Sequence, residues 1–313
     1  MNAPARTAPA RRPPVLGAAG RVRPRHLALA CPSLCLCLCL LAAACGEAGD
    51  EHAPRTTGAD DGDPRIAAWP APFAGGRWID LTHAFGADTL VWPTSDRFEL
   101  EVLSARRTEA GYYYAANRFC TAEHGGTHVD APIHFAEGQT TVDALPVGRL
   151  MGPACVVDVR AACDADRDHR VGRDELRAWE SRHGRLPAGA IVLLRTGFGR
   201  HWPDAEAYLG TAARGPAALA DLSFPGLHPE AARWLVDERD IAAIGLDTAS
   251  IDHGPSRDFA SHVILAGAGV PVFENVADLG ALPATGAYVL ALPMKIAGGS
   301  GGPLRIVAWV TDT

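Results

Sequence analysis

The chain has 313 residues, of which 48% are hydrophobic, so it can form one main domain with a sizeable buried core. The first 45 residues hold six arginines and no acidic residue, so the remainder carries 23 basic against 36 acidic side chains, a net charge of -13. This balance argues against a nucleic acid partner, because phosphate binding depends on clustered basic side chains.

Residues 1–45 are predicted to be an export signal. A Pro/Ala/Arg run is followed by an apolar segment at 27–44 and by Cys45, an order typical of a signal sequence and not of a membrane-spanning helix. The residues before Cys45 also resemble a bacterial lipobox, which leaves a lipid anchor at Cys45, plain cleavage and a misassigned start codon as alternatives. We expect an exported protein, periplasmic or on the cell surface, that meets the membrane only through such an anchor.

Residues 46–75 lack apolar periodicity and are predicted to be a disordered tether, which places the folded domain at 76–313. Five of the eight cysteines lie in the leader, and the domain keeps Cys120, Cys155 and Cys163. An odd number without a CxxC pair predicts neither a disulfide framework nor a thiolate zinc site. Cys120 and Cys155 are expected to be small buried hydrophobes.

Alternating side chains predict strands at the start of the domain, over residues 78–81, 96–105 and 112–119. In the second of these, Leu100 and Val102 fall on one face. The three tyrosines at 112–114 predict a half-buried β surface in preference to a recognition cage.

Residues 123–135, EHGGTHVDAPIHF, concentrate four candidate metal-binding or proton-transfer groups: His124, His128, Asp130 and His134. The two glycines after His124 and the proline before His134 disfavour a helix and predict a turn followed by extended chain. Residues two apart in extended chain share a face, so His128 and Asp130 point the same way, with His124 folded back beside them. Such a group suits a hard-to-borderline cation; hydrogen-bonded loop histidines are the alternative.

Short apolar runs predict core strands after this stretch, and helical spacing predicts helices between them. The strands are expected at residues 155–159, 190–194, 241–246, 288–292 and 304–310, and the helices at 174–183 and 228–237. The glycine-rich loop at 298–302 is expected beside the pocket. The polar residues 247–252 predict either contacts that orient metal ligands or a cluster of turns and caps.

A loop with EF-hand spacing begins at Asp164, with Asp166, Asp168 and Glu175 at its third, fifth and twelfth positions. His169 takes the sixth position, where a sharp turn usually requires glycine, and no helix is predicted before the loop. Calcium binding and an acidic loop that caps the next helix are the two interpretations.

The 123–135 stretch resembles the HxGTHxDxPxHF signature of the cyclase family of metal-dependent hydrolases, which includes bacterial kynurenine formamidases and isatin hydrolases. Residues 261–279, SHVILAGAGVPVFENVADL, resemble the second metal-binding segment of that family. The resemblance covers residues 77–311 and implies an α/β fold of the swivelling β/β/α type with a β-rich core. It also implies a homodimer whose chains complete each other's pockets.

The resemblance further implies roles for individual residues. Five resemble ligands of two zinc or manganese ions: His124 and His128 for the first ion, His262 for the second, and Asp130 and Glu274 shared by both. His134 resembles a catalytic proton shuttle that does not bind metal. Trp92 falls where formamidases carry a substrate-contacting tryptophan, although Thr94 and Ser95 replace the Gly-Asp that often follows.

The implied activity is hydrolysis of a small-molecule amide, either N-formylkynurenine or a related aryl formamide, in the catabolism of tryptophan to kynurenine. Opening of a cyclic amide such as isatin is the alternative. Glu274 favours the formamidase-like arrangement, because isatin hydrolases tend towards an amide residue at that position. A hypothesis of another class is a surface lipoprotein that binds a metal or ligand without turnover, and the non-ligand His134 argues against it.

Overall fold

The computed structural model describes Phe73 and residues 75–311. The predicted export signal, Cys45 and nearly all of the predicted tether lie outside these residues, so those interpretations stay predictions. Phe73 falls within the predicted tether, and its ring centroid lies 5.5 Å from that of Trp78 and 5.8 Å from that of Trp309. Within the described part of the chain, no helix is long and apolar enough to cross a membrane.

Strands and helices alternate through most of the described chain. The strands are β1 Gly76–Asp80, β2 Glu99–Arg107, β3 Tyr113–Cys120, β4 His128–Asp130, β5 Met151–Asp158, β6 Arg170–Val171, β7 Ile191–Arg195, β8 Gly226–Leu227, β9 Ala243–Leu246, β10 Val272–Glu274, β11 Ala287–Pro293 and β12 Gly301–Thr311. The α-helices are α1 Val147–Leu150, α2 Arg160–Ala165, α3 Arg173–His183, α4 Ala205–Leu209, α5 Pro229–Arg239 and α6 Ala260–Gly267.

The main sheet runs in the order β1-β12-β11-β5-β7-β9-β10-β4, and β4 also pairs with the first residues of β12. This last pairing closes the sheet on itself. Strands β5, β7, β9 and β10 are parallel neighbours, whereas β11, β12 and β4 pair antiparallel with their neighbours. The predicted mixed α/β domain with a β-rich core is therefore confirmed.

The two faces of the sheet carry separate apolar clusters. Leu193 and Phe273 belong to the cluster on one face. Leu176 and Trp179 of α3 belong to the other, where the helices cover the sheet. Because both faces are covered, the side chains of β7 and β9 are almost all buried, as their continuous apolar runs predicted.

Both predicted long helices are present, with boundaries within two residues of those expected. Gly184 follows the last residue of α3 with a φ of 89°, a conformation that glycine adopts without steric cost. Helix α5 begins at Pro229, where the missing backbone donor does no harm, and the ring of His228 accepts a hydrogen bond from the Glu230 amide.

Strands β2 and β3 form a hairpin apart from the main sheet, and there two predictions are wrong. The tyrosines at 112–114 are 52–61% exposed instead of half-buried, and Cys120 is exposed, whereas Cys155 is buried as expected. Leu100 pairs with Phe119, so these side chains share a face with Val102, and all three are 49–61% exposed. Residues 75–311 therefore leave an apolar face of the hairpin uncovered.

Candidate metal centre

Strand β4 is short because a glycine turn precedes it and a proline follows soon after. Gly126 has a φ of 60°, and a Cβ there would lie 2.6 Å from the ring of Phe85, so only glycine fits. The chain then runs extended through His128 and Asp130, as predicted, and Pro132 starts a 3₁₀ turn that ends at His134.

Strand pairing brings the two distant segments of the chain together. Glu274 of β10 lies directly opposite His128 of β4 in an antiparallel pair. Helix α6 places His262 over the same end of the sheet, with Nε2 3.0 Å from Asp130 Oδ2 and 3.1 Å from Glu274 Oε1. His124 Nδ1 approaches the other oxygen of Asp130 at 2.6 Å. All five predicted ligands therefore converge.

The described residues include two groups that could hold a metal ion. The first comprises His124, His128 and Asp130, and the second comprises Asp130, His262 and Glu274. Asp130 belongs to both, with one oxygen facing His124 and the other facing His262.

Hydrogen bonds from neighbouring groups fix how the ligands point. Asp252 Oδ2 lies 2.7 Å from His262 Nδ1, so Nε2 of that ring faces the carboxylates. The Ile251 amide donates to Glu274 Oε1 at 2.7 Å, and His128 Nδ1 lies 2.9 Å from the Gly126 carbonyl. Such partners orient metal ligands in known sites.

Residues 247–252 divide between the two roles that the sequence left open. Asp252 orients a candidate ligand, whereas Asp247 accepts hydrogen bonds from the Thr196 amide and hydroxyl, each at 2.7 Å, and from the Gly197 amide. Asp247 therefore holds the turn that follows β7, and its burial raises its pKa.

The buried carboxylates are balanced by the histidines around them. Burial alone would raise the pKa of Asp130, but the three histidines that face it, His124, His128 and His262, outweigh burial and hold that pKa well below its ordinary value. Burial alone would also lower the pKa of His128, but Asp130 and Glu274 raise it to about 10. A divalent cation would replace these protons as the balancing charge.

The donor set fits a metal ion. His128 Nε2 is buried and lies 3.2 Å from Asp130 Oδ1 and 3.4 Å from Glu274 Oε2, yet neither contact has hydrogen-bond geometry. A buried polar atom without a hydrogen bond is costly unless another partner binds it. Imidazole nitrogens and carboxylate oxygens are ligands that zinc and manganese both accept.

His134 lies beside the centre but in neither ligand group. Its ring stacks on that of His124, with centroids 3.8 Å apart. The residue is exposed at the cavity, yet the packing around its ring lowers its pKa to about 4.

A cavity of about 260 Å³ opens above the ligands. Its walls are mainly apolar and include Leu90, Trp92, Phe135, Leu209 and Phe259. Trp92, the predicted substrate contact, therefore lines the cavity. It begins a turn in which the Ser95 amide donates to the Trp92 carbonyl. Among the described residues, no lysine or arginine lines this cavity.

Sequence reasoning missed Phe259 and did not single out Asp252. Phe259 precedes α6 in the left-handed region, with a φ of 48°, a conformation that is uncommon for a bulky residue. No local pattern in the sequence predicts that conformation. Asp252, in contrast, is the last of the polar residues 247–252, for which the sequence predicts contacts that orient metal ligands as one of two roles.

The acidic loop at Asp164 is engaged in other contacts. A short helix, α2, begins at Arg160 and runs into the first two residues of the loop, so the prediction of no helix there is wrong. Asp164 pairs with Arg200, Asp166 accepts from the Asp168 amide, and Asp168 accepts from a serine hydroxyl. Glu175 caps α3 through the Gly172 amide, as the capping interpretation expected. Calcium binding stays a prediction that this arrangement does not support.

Comparison with known proteins gives consistent matches. Residues 79–253 match the family model described as "Putative cyclase". The isatin hydrolase of Roseibium aggregatum is 33% identical over 247 residues, covering 74% of this chain and 91% of that protein. The kynurenine formamidase of Salinibacter ruber is 29% identical, covering 73% of this chain and 95% of that protein. The structure of isatin hydrolase A from Labrenzia aggregata matches with a TM-score of 0.69 and 34% identity, covering 76% of this chain and 94% of that chain.

Proposed function

The chain belongs to the cyclase family and is a hydrolase of amide C–N bonds, and from this premise we propose that it cleaves an aryl formamide such as N-formylkynurenine. One observation carries the proposal. The five candidate ligands converge at the floor of an aromatic cavity, beside an imidazole, His134, that belongs to neither ligand group.

Two divalent ions per chain are part of the proposal, because two ligand groups share Asp130. Such ions, when bound, supply the Lewis acidity that lowers the pKa of a water and stabilises negative charge on a carbonyl oxygen. Zinc and manganese suit the ligands equally. Elemental analysis of the purified protein tests both the number and the identity of the ions.

His134 moves the proton in the proposed reaction. Its lowered pKa keeps the ring neutral near pH 7, so a ring nitrogen can accept a proton from the attacking water. The same nitrogen then returns the proton to the amide nitrogen as the C–N bond breaks, which releases formate and an aryl amine. Trp92 and Phe135 form apolar walls that hold the aryl group and exclude water.

Turnover of N-formylkynurenine with and without a chelator tests this function. We expect chelation to abolish the rate and added zinc or manganese to restore it. A measurable rate that chelation leaves unchanged would contradict the metal mechanism. Metal binding without turnover of any formamide or lactam would instead support the hypothesis of a non-catalytic binding protein.

Isatin is the second candidate substrate, and the cavity itself favours it. No basic side chain of the described residues lines the cavity, so the carboxylate of an amino-acid substrate has no cationic partner there from the same chain. The ratio of kcat/KM for isatin to that for N-formylkynurenine distinguishes the two candidates.

A homodimer is also proposed, and the exposed hairpin supports it. Its apolar face carries Leu100, Val102, Tyr113 and Phe119, all largely exposed, and large exposed apolar side chains grouped on one face mark protein interfaces. The hairpin lies in the chain between the Trp92 turn and Glu123, and a second copy that covers it is the partner the proposed assembly requires. Sedimentation equilibrium of the purified domain tests the assembly.

Export, with or without a lipid anchor, completes the proposal. Mass spectrometry of the mature N-terminus distinguishes its alternatives, because lipidation adds acyl mass to Cys45, plain cleavage removes the leader alone, and a later start codon leaves no leader to remove.

A further inference from the structure

The glycine-rich loop before β12 carries one side chain at its centre, and that side chain contacts a candidate metal ligand. Ser300 Oγ lies 2.9 Å from His124 Nε2. The same hydroxyl donates to Glu123 Oε2 at 2.6 Å, and the Ser300 amide donates to that oxygen at 3.0 Å. Glu123, Ser300 and His124 therefore form a continuous chain of hydrogen bonds.

The number of available protons determines which group donates in each of these hydrogen bonds. A serine hydroxyl has one proton, and an ionised carboxylate can only accept, so the proton of Ser300 points to Glu123. The contact with His124 must then use a proton on Nε2. Nδ1, the nitrogen that lies 2.6 Å from Asp130 Oδ1, is then the one whose proton a bound cation would replace.

The other two candidate histidine ligands, His128 and His262, face the carboxylates with the other ring nitrogen. In His128 and His262 the neighbouring groups contact Nδ1, and Nε2 faces the carboxylates. His124 alone among the three presents Nδ1 to Asp130, and the serine contact on its far nitrogen accounts for that difference.

The glycines beside Ser300 allow this close approach. A Cβ on Gly299 would lie 2.8 Å from Glu123 Oε1, and one on Gly301 would lie 2.5 Å from His124 Cε1. The loop is also fastened to the metal motif, because the Ala131 amide donates to the Ser300 carbonyl at 2.9 Å. The glycine-serine pattern therefore places a hydroxyl against the ring without steric conflict.

We propose that Glu123 and Ser300 are positioning residues that hold His124 with Nδ1 directed at the metal. The proposal rests on the proposed role of His124 as a ligand and adds how that ring is oriented. Neither residue contacts the reacting atoms, so their effect reaches the reaction only through His124.

Zinc affinity, measured by competition with a chromophoric chelator, tests the proposal without substrate. Ser300→Ala should weaken zinc binding about 10- to 100-fold, the usual cost of removing such a partner, and Glu123→Ala should do the same. The double variant should lose no more than the larger single loss, because the two residues act as one unit. Glu123→Gln keeps an acceptor oxygen and should stay closest to the parent. Unchanged affinity in Ser300→Ala, or losses that add in the double variant, would overturn the proposal.

A second hydroxyl–carboxylate pair, which contacts the same loop from residues 141 and 143, is the matched control. Thr141 donates to Asp143 at 2.7 Å, and Asp143 accepts from the Gly298 amide at 3.0 Å, without contact to His124. Thr141→Val and Asp143→Asn should loosen the loop and leave zinc affinity within about threefold of the parent, a surface-site effect. If they weaken binding as much as Ser300→Ala does, loop rigidity explains the effect and the positioning role is wrong.

Long-range ¹H–¹⁵N spectra of the zinc-loaded protein give a direct readout. His124, assigned by its absence in His124→Gln, should carry its proton on Nε2, whereas His128 and His262 carry theirs on Nδ1. A proton on Nδ1 of His124 would overturn the positioning proposal alone. Zinc binding with the expected tautomer but no amide turnover would sink the proposed function alone, and failure to bind zinc would sink both.

Discussion

The first ligand segment of the metal centre follows the β2–β3 hairpin directly in sequence, but the centre buries charged side chains whereas the hairpin exposes apolar ones. The centre removes charged groups from water, with Asp130 and Glu274 only 4–5% exposed, and partners surround both. The hairpin leaves Leu100, Val102 and Tyr113 56–61% exposed, without a partner surface from the described part of the chain. Buried charge is stable only when it is paired, and exposed apolar groups gain stability only when they are covered. The side chains of the centre are therefore suited to binding cations, and the apolar face of the hairpin is suited to binding a protein surface.

Removing the carboxylate of Asp130, which both ligand groups share, should have the largest effect on metal content and activity. We expect this effect to be confined to the centre. In Asp130→Asn both ligand groups lose a charged member, so we expect bound metal to fall and kcat/KM to drop about a thousandfold, the equivalent of about 4 kcal/mol. Asp166→Asn, which changes an exposed carboxylate in the acidic loop, should leave both unchanged. A drop in dimer affinity in Asp130→Asn would show that the centre and the hairpin are not independent.

His134→Gln should separate chemistry from metal binding within the centre. Loss of a positioned proton carrier typically costs about 100-fold to 10,000-fold in rate, whereas a group outside the ligand set should not alter metal content. Steady-state kinetics and elemental analysis of the same preparation check both outcomes. An unchanged kcat would reassign the proton transfer to another group.

A charge on the apolar face of the hairpin should weaken the proposed dimer and leave the metal centre unchanged. Val102→Lys places an ammonium where a second copy is expected, and we predict that the dimer dissociation constant rises about 10- to 100-fold, from the value of burying one aliphatic side chain. Ser104→Lys is the control, because Ser104 pairs with Ala116 beyond the bulge and lies on the opposite face. Equal effects of the two variants in sedimentation equilibrium would mean that charge alone, and not the covered face, sets the assembly.

The same contrast explains what the sequence could predict. His128 and Asp130 could be assigned from local pattern, because glycine and proline on either side leave little choice but extended chain. Their meeting with His262 and Glu274, more than a hundred residues away, came from a resemblance, since no local pattern encodes which strands pair. The alternation of Leu100 and Val102 was also correct, but alternation cannot say whether the partner of an apolar face belongs to the same chain.

Glu123 and Ser300 show a further limit of sequence reasoning. Their contact depends on two glycines that permit an approach across 177 positions. The sequence predicts a loop beside the pocket at 298–302, but no local pattern indicates that Ser300 contacts Glu123 and His124. The left-handed backbone of Phe259 is similarly imposed by its surroundings and contradicts the local preference of an aromatic residue.

The smallest predicted effect concerns two imidazoles whose pKa values shift in opposite directions, that of His128, which is buried, and that of His83, which is half-buried. The pKa of His128 is raised by the carboxylates that face it, whereas burial lowers the pKa of His83 to about 4. The ring of His83 stacks on that of Trp202, with centroids 4.1 Å apart, and its Nε2 has no hydrogen-bond partner among the described residues.

Below its ordinary pKa of 6.5, His83 takes up a proton in the unfolded chain but not in the folded one, so stability should fall as the pH falls from 6.5 to about 4. His83→Phe keeps the stacked ring and removes this titration, so it should lose less stability over that window. Allowing for partial exposure, we expect a difference of about 1 kcal/mol, or about 2–4 °C in Tm at pH 4.5 relative to pH 7.5. Thermal unfolding of the metal-free protein across this range measures it. Parallel pH profiles for parent and variant would mean that the folded protein already accommodates a charged His83, because solvent reaches its ring.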